Sequence, residues 1–368
     1  MVYKKEQSRV IPQESTVRFT IKKIITYALI LFLLSFIIYA LLFHSVDRLR
    51  HMIVPTIFLP TPEEYAEMWY RYGVNCNLLT LAGEPINFFV RYGQWLGLCP
   101  NNKGIYCGLF QGYLGISWFN LYDHDYTPTN TANILSQYWY RTIFFVLVTL
   151  LIGILVATSI LTRYFRKKGY IRILDKHRVR YYTMSLFLLI IVVVVNNRSF
   201  CNRFFPDHRF VFLRYNLFSE QWWSDYRFYA FFIVTTIMSV IWMVIFLTRQ
   251  IITMQQRTEF DKNYLSREEL TLDVRQMSYA TLWFLTLRLC IHQYSSYSYI
   301  VFNGLAMFEM FSGFYGPSNL FFAYFRDYPL MMSIVLFYAA FFLTLKFVFE
   351  VLDFNFQKKM KQKMLFSI

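Results

Sequence analysis

Residues 24–43 form an uninterrupted apolar run, IITYALILFLLSFIIYALLF, which constrains this chain more than any other feature. A helix of about 20 apolar residues is long enough to cross the roughly 30 Å hydrocarbon core of a bilayer. Six Lys or Arg residues precede the run, and no small-residue cleavage site follows it. Because the run is also too long for the core of a signal peptide, we interpret it as a retained first membrane helix with a cytoplasmic N-terminus.

Further apolar runs predict an all-α membrane protein with six transmembrane helices and both termini inside. The other five predicted spans lie near residues 142–162, 181–195, 228–247, 279–302 and 330–352. The predicted organisation is a cytoplasmic segment 1–23, the first helix 24–43, a sizeable extracytoplasmic loop or subdomain 44–138, a membrane core 139–352 and a basic cytoplasmic tail 353–368. The core includes a charged cytoplasmic segment, residues 248–277.

The basic residues act as topology signals. The net charge is +15, but the Lys and Arg residues cluster beside the apolar runs, as in RYFRKKGYIRILDKHRVR at 163–180. Such clusters mark cytoplasmic loops, and they do not form the long basic stripe of a nucleic-acid-binding protein. The outer loop 196–227 goes against this rule because it contains several arginines. We therefore predict a multi-pass protein of the cell membrane that contacts lipid and does not bind nucleic acid.

The sequence contains none of the catalytic or nucleotide-binding motifs that mark soluble enzymes, such as a Walker A loop, GxSxG or HExxH. His292 is the one histidine within a predicted span, and we interpret it as a hydrogen-bond partner between helices. The cysteines show no metal-ligand spacing, and Cys99 and Cys107 either pair or remain free thiols. We expect no metal, no cofactor and no catalytic residue in this chain.

The cytoplasmic segment 248–277 has two interpretations. Ser266 and Glu269 have the spacing of a helix capping box, and Leu265, Leu270 and Leu272 would give a short helix an apolar face. A helix of this kind across the cytoplasmic mouth of a bundle is suited to receive force from a soluble partner. The alternative is a solvated loop.

The stretch 304–332 places charges beside a predicted span. Glycines such as Gly304 and Gly316 allow sharp turns and close backbone approach, and Pro329 stops helices. Asp327 or Glu309 can offset the charge of Arg326. The pattern indicates a re-entrant or extracytoplasmic hairpin whose charges are hydrated or paired, and the alternative is an ordinary loop.

Two blocks of sequence resemble the first permease subunit of oligopeptide, dipeptide and nickel ABC importers. One block is FFVRYGQWLGL followed by GLFQGYLGIS and ILSQYWYRTIFFVLVTLLIGILVA, and the other ends in RDYP before the last predicted helix. The resemblance covers most of the chain. The matching positions are Tyr92, Trp95, Leu96, Gly112, Leu114, Gly115, Ser117, Thr248, Arg249, Gly304, Glu309, Phe311, Gly316, Ala323, Arg326, Asp327, Tyr328 and Pro329.

The resemblance implies a transporter membrane subunit, not an enzyme. In such a complex the chain would form half of a pathway with a second, similar permease, and two ABC ATPase subunits would bind the ATP and Mg²⁺. An extracytoplasmic solute-binding protein would dock on the outer loop, and the substrates would be short peptides. The implied ATPase-coupling residues are Tyr264, Ser266, Arg267, Glu268, Glu269, Leu270, Thr271 and Leu272.

The chain departs from the family pattern at two places. Tyr113 stands where the family's outer loop usually has an acid, and Leu270 and Thr271 occupy the positions of a Lys-Gly pair in the coupling loop. The second departure keeps open a rival hypothesis, in which the chain is a membrane scaffold or assembly subunit that has lost coupling. An intramembrane enzyme is a third hypothesis, disfavoured because no pair of catalytic groups recurs at helical spacing.

Overall fold

The structure of this protein is a computed structural model, which describes residues 15–46, 49–50, 61–118, 130–168, 226–254, 278–311, 317, 320 and 327–366. Of these residues 82% are helical, and they form no β-strand. Two isolated β-bridges, Leu79 with Pro85 and Ile116 with Asn130, are the exceptions within the described ranges. The all-α prediction is therefore confirmed.

Among the described residues, seven α-helices and one 3-10 turn have defined bounds, and residues 46, 49–50, 317 and 320 are also helical. The turn is Leu109–Gln111. The helices are α1 (Thr16–Phe43), α2 (Pro62–Asn75), α3 (Phe88–Leu96), α4 (Thr131–Lys168), α5 (Tyr226–Met254), α6 (Tyr279–Phe311) and α7 (Tyr328–Phe366).

Three described helices are long and apolar enough to cross a membrane. They are α1, α4 over Thr131–Lys167 and α7 over Tyr328–Phe356. The apolar part of α5, Thr236–Thr248, is shorter, and α6 contains Arg288, His292 and Gln293. The chain is therefore a membrane protein by the length and composition of its helices. Six spans and the orientation stay predictions, and the predicted third span at 181–195 lies outside the described residues.

Helices α1 and α7 are antiparallel neighbours. Near the start of α1 the Phe19 ring stacks on Phe354 at 4.2 Å, and Lys23 Nζ lies 2.7 Å from Glu350 Oε2. Near the end of α1 the Phe43 ring lies 6.2 Å from Tyr328, the first residue of α7. The beginning of α1 and the later part of α7 therefore lie at the same end of the pair.

Helices α4, α5, α6 and α7 share the largest hydrophobic core among the described residues, which includes Phe145, Leu161, Met243, Leu285 and Tyr294. A Cβ built on Gly304 of α6 would lie 2.2 Å from the Trp242 ring of α5. Gly304 is thus a point of close helix approach, one of its two predicted roles, and not a turn, because α6 continues to Phe311. The helix is kinked at Tyr297, whose φ and ψ are −118° and 21°.

The predicted extracytoplasmic loop contains a small folded unit, which we call the outer subdomain (residues 61–118) after its predicted side of the membrane. Helix α2 starts with a full capping box, in which Thr61 and Glu64 bond each other's backbone amides, and Pro62 fits the first turn. The subdomain packs on the end of α1, where Tyr39 contacts the rings of Phe88, Tyr92 and Trp95. Helix α4 already begins at Thr131, inside the predicted loop 44–138.

Candidate functional site

The two sequence blocks that resemble the permease family meet in space, although they lie far apart in the chain. Ser117 Oγ donates a hydrogen bond of 2.5 Å to Asp327 Oδ2, across a separation of 210 residues. Both residues are buried, Ser117 fully and Asp327 with 3% of its surface exposed. We call this contact and its immediate surroundings the junction (Gly115, Ser117, Thr131 and 327–333).

Asp327 begins helix α7. Its second carboxylate oxygen, Oδ1, accepts a 3.0 Å hydrogen bond from the Leu330 amide, and its backbone carbonyl accepts from the Met331 amide. A carboxylate at this position satisfies an amide of the first helical turn and interacts favourably with the helix dipole. Pro329 lies in the same first turn, where its missing N–H costs nothing, so it starts the helix and does not stop one. Asp327 is buried and bonded, which corrects the alternative in which it stays hydrated.

The glycines of the GxLGxS block shape the loop that reaches Asp327. Gly112 ends the 3-10 turn with φ of 76°, and Gly115 has φ of 107°, so both lie in a region that side-chain-bearing residues rarely adopt. A Cβ on Gly115 would also lie 3.5 Å from Pro329 Cβ. The Gly115 carbonyl accepts from the Thr131 amide at 3.0 Å, which ties the loop to the start of α4.

A second buried hydroxyl bond crosses the junction beside the first. Thr131 Oγ1 and Ser333 Oγ are 3.0 Å apart, and the Ser333 hydroxyl donates to the Pro329 carbonyl at 2.7 Å. Because Ser333 has one hydroxyl proton, Thr131 is the donor in the first of these bonds. Helices α4 and α7 are thus joined at the end where the outer subdomain sits.

Aromatic rings surround the polar bonds and exclude water from them. The rings of Phe43, Trp118 and Tyr328 lie 5.4–6.2 Å from one another, so α1, the loop and α7 each contribute one. Trp95 stacks on Tyr92, and its Nε1 lies 3.4 Å from the Leu114 carbonyl. Hydrogen bonds to a carboxylate are stronger in such a dry environment than in water.

Two groups beside the junction have raised pKa values. Burial and the neighbouring Asp327 carboxylate raise the pKa of the Cys76 thiol to about 12, against a smaller opposing effect of a hydrogen bond with Trp118. Burial, with the nearby thiols of Cys107 and Cys76, raises the pKa of Tyr113 to about 12. At neutral pH Tyr113 is therefore uncharged where the family has an acid. Cys99 and Cys107 are both free thiols.

Glu309 forms a separate polar centre between three helices. Its side chain is fully buried, Oε1 accepts from Thr142 Oγ1 of α4, and Oε2 accepts from Tyr338 Oη of α7, each at 2.8 Å. The sequence reading placed Glu309 in an outer hairpin as an alternative partner of Arg326. The hairpin placement is wrong, because α6 extends through Glu309 to Phe311, whereas the pairing with Arg326 involves a residue outside the described ranges.

His292 connects two helices, as predicted. Its Nδ1 lies 2.9 Å from Asp353 Oδ2, so the bond joins α6 to α7. Three residues before Asp353 on α7, Glu350 accepts from Tyr27 Oη at 2.6 Å and pairs with Lys23. Within the described ranges no three His, Cys, Asp or Glu side chains cluster as metal ligands would.

The remaining predicted site residues lie on α5, at the end of α6 or outside the described ranges. Thr248 and Arg249 belong to α5, and the Arg249 side chain, like that of Phe311, lies outside the described residues. Gly316 and Arg326 also lie outside them, as does the whole coupling group Tyr264, Ser266, Arg267, Glu268, Glu269, Leu270, Thr271 and Leu272.

Several residues of these sites were missed by the sequence reading. Thr131 and Ser333 join the junction, and Thr142 and Tyr338 bind Glu309. Thr131 lies in a polar stretch before an apolar run, and the other three are ordinary polar residues within apolar runs. The one available signal was the presence of a carboxylate in a membrane helix, because a buried acid requires hydroxyl or amide donors on neighbouring helices.

Comparison with models of known protein families gave no match, and comparison with curated protein sequences gave none either.

Proposed function

We propose that this chain is the first permease subunit of an ATP-driven importer of short peptides. It would form half of the translocation pathway with a second, similar permease. Two cytoplasmic ABC ATPases would drive the complex, and an extracytoplasmic solute-binding protein would dock on the outer subdomain. The cell membrane is the location that this proposal requires.

The observation that carries the proposal is the contact between the two sequence blocks at Ser117 and Asp327. The blocks were matched to the permease family separately, from sequence alone. A chance resemblance of two unrelated segments gives no reason for them to touch, whereas a shared structural role does. The matched glycines, Gly112 and Gly115, are also the ones whose backbone angles favour glycine in this loop.

The fold suggests how motion would pass through the chain. Helix α1, the outer subdomain and the start of α7 are joined by the junction and its aromatic rings, so they are suited to move as one body. Helices α5 and α6 flank residues 255–277, where the ATPases would act. The bonds of Glu309 to α4 and α7 would carry a displacement of α6 to the rest of the bundle.

The energy for this motion would come from the partner subunits. An equilibrium shift from 1:99 to 99:1 between inward-facing and outward-facing states requires about 5.5 kcal/mol of differential binding. ATP binding by two ATPases would supply it, because a ligand shifts such an equilibrium only through its different affinities for the two states.

Replacement of residues 264–272 by a Gly/Ser linker tests this proposal. Uptake of a labelled tripeptide by cells with the complete importer should fall to background, while the chain still inserts in the membrane. The matched variant is Leu270→Lys with Thr271→Gly, which restores the family's Lys-Gly pair and should retain uptake. Uptake that persists with the linker would show that the segment transmits nothing.

A second candidate is a permease-derived scaffold that has lost coupling. The observation that favours it is the pair Leu270 and Thr271, because loss of the glycine removes a preferred turn site from the coupling loop. A scaffold would be retained in a membrane complex without bound ATPases, and the linker replacement would leave its assembly unchanged.

A further inference from the structure

Two basic side chains near the start of α1 differ from the basic side chain beside them. Lys23 faces α7, where its Nζ lies 2.7 Å from Glu350 Oε2. Arg18 and Lys22 are exposed, and neither side chain has an ion pair or a hydrogen bond with any described residue. The described part of the chain therefore leaves these two positive charges without a counter-ion.

Arg18 and Lys22 lie on the face of α1 that points away from α7, and three exposed apolar residues continue this face. We call Ile21, Ile25 and Leu29 the apolar row; they are 53%, 55% and 57% exposed. Ile25 and Leu29 follow Arg18 by seven and eleven residues, which puts all three on one side of a helix. The face thus combines unpaired cations at one end with apolar surface along its length.

The two basic residues lie at the depth of lipid headgroups. The helix rises about 31 Å from Lys22 to Phe43, which matches the roughly 30 Å hydrocarbon core of a bilayer. When Phe43 lies at one boundary of that core, Lys22 lies at the other, and Arg18 lies about 6 Å further out. This layer contains the phosphates of the phospholipids, and the apolar row extends from it into the acyl chains.

The spacing of the two charges suits one phosphate group. Residues four apart are neighbours on a helix surface, and like charges at this spacing repel each other, so an anion between them removes a repulsion. Arginine binds phosphate through two parallel N–H groups, and lysine binds it as a point charge. Ser15 lines the same open groove as Arg18, Lys22 and Ile25. Its Oγ accepts from the Arg18 amide at 3.2 Å, so its hydroxyl proton can be donated to a phosphate oxygen.

We propose that this groove binds one anionic phospholipid, with its phosphate between Arg18 and Lys22 and an acyl chain along the apolar row. A free phosphate ion would leave the apolar row uncovered, so the ligand is a lipid. A zwitterionic lipid has the same chains, but its headgroup adds a cation that the two basic side chains repel. The proposal rests on α1 as a membrane helix and does not depend on the transport function.

Photo-cross-linking of the full-length chain in phosphatidylcholine nanodiscs tests the proposal. The probes are phosphatidylglycerol and phosphatidylcholine that carry the same diazirine in one acyl chain, each added at the same low mole fraction. Mass spectrometry then measures the label on residues 21–29. Each basic residue near a membrane surface contributes about fivefold to the binding of anionic lipid, so the wild type should favour the phosphatidylglycerol probe by at least about tenfold. Because salt screens exposed charges, this ratio should fall in 1 M salt.

A charge-matched pair of variants assigns the preference to the groove. Arg18→Gln with Lys22→Gln should label both lipids about equally, while the total label on residues 21–29 persists. Both residues are exposed, so the variant should fold as the wild type does. Arg71→Gln with Lys103→Gln is the control, since it also removes two exposed positive charges, but from the outer subdomain. It should keep the wild-type ratio.

Four outcomes would overturn the proposal. Equal labelling by the two probes in the wild type would mean that the face contacts lipid without selecting it. No label from either probe would mean that protein, such as a second copy of this chain, covers the apolar row. The other two are a wild-type ratio in Arg18→Gln with Lys22→Gln, and an equally large loss of the ratio in the control.

Discussion

Replacement of Ser117 by alanine removes the hydroxyl that donates to the buried Asp327 carboxylate. A hydrogen bond to a charged group contributes about 1.5–3 kcal/mol, and the loss leaves a buried carboxylate oxygen short of one donor. We therefore expect Ser117→Ala to lower the free energy of unfolding by about 2 kcal/mol. Asp327→Ala removes the same bond and also the N-terminal cap of α7, so it should lower the free energy of unfolding by at least about 3 kcal/mol.

The double variant separates the bond from the other effects. Both single variants remove the same bond, so the double variant should lower the free energy of unfolding no more than Asp327→Ala alone. The sum of the two single effects then exceeds the effect of the double variant by a coupling energy of about 2 kcal/mol. The assay is unfolding of the detergent-solubilised chain by SDS, followed by tryptophan fluorescence. Ser136→Ala is the control, since Ser136 is exposed and bonds only within α4, and it should change stability by less than about 0.5 kcal/mol.

Two results would refute this reasoning. In the first, Ser117→Ala would change the free energy of unfolding no more than Ser136→Ala does. In the second, the costs of the two single variants would simply add, which would mean that Ser117 and Asp327 do not interact.

Two further changes test the polar centres of the fold. Glu309→Gln replaces one of the two carboxylate oxygens that accept hydrogen bonds from Thr142 and Tyr338. It should therefore lower the free energy of unfolding by about 1–2 kcal/mol in the same assay. An unchanged free energy of unfolding would contradict these two bonds. Cys76 as the sole cysteine should react with a maleimide at pH 8 roughly a thousandfold more slowly in the native chain than in the unfolded chain, because the thiolate reacts and the native pKa is about 12. The raised pKa favours the neutral thiol in the fold, so stability is unaffected below the unfolded pKa of about 8.5 and falls as pH rises toward 12. Native and unfolded rates within tenfold of each other would contradict the burial of this thiol.

Features that depend on neighbouring residues were predictable from the sequence. The run 24–43 predicted α1, because a run of this length and apolar composition suits a membrane-spanning helix. The observed helix begins earlier, at Thr16, and ends at the predicted Phe43. That His292 would form a hydrogen bond between helices also followed from its type and location, although its partner Asp353, 61 residues away, did not. The glycines of GxLGxS were matched by motif, and their backbone angles explain why glycine is needed there.

Features that depend on distant partners were not predictable. The bond between Asp327 and Ser117 was not predicted, because the hydroxyl that binds the carboxylate lies 210 residues away in the sequence. For Gly304 the sequence allowed a sharp turn or a close backbone approach, and it could not decide between them because the Trp242 ring that requires a glycine there belongs to another helix. The burial of Arg91 in α3 could not be predicted, because it arises only when α3 folds onto the end of α1.

Purification of this chain from its native membrane, with identification of the proteins that remain bound and a measurement of ATP hydrolysis, tests the proposed function most directly. We predict a second permease and two ABC ATPase subunits, with ATP hydrolysis that falls when residues 264–272 are replaced by a Gly/Ser linker. A stable membrane complex without ATPases and without ATP hydrolysis would contradict the transport function and favour the scaffold.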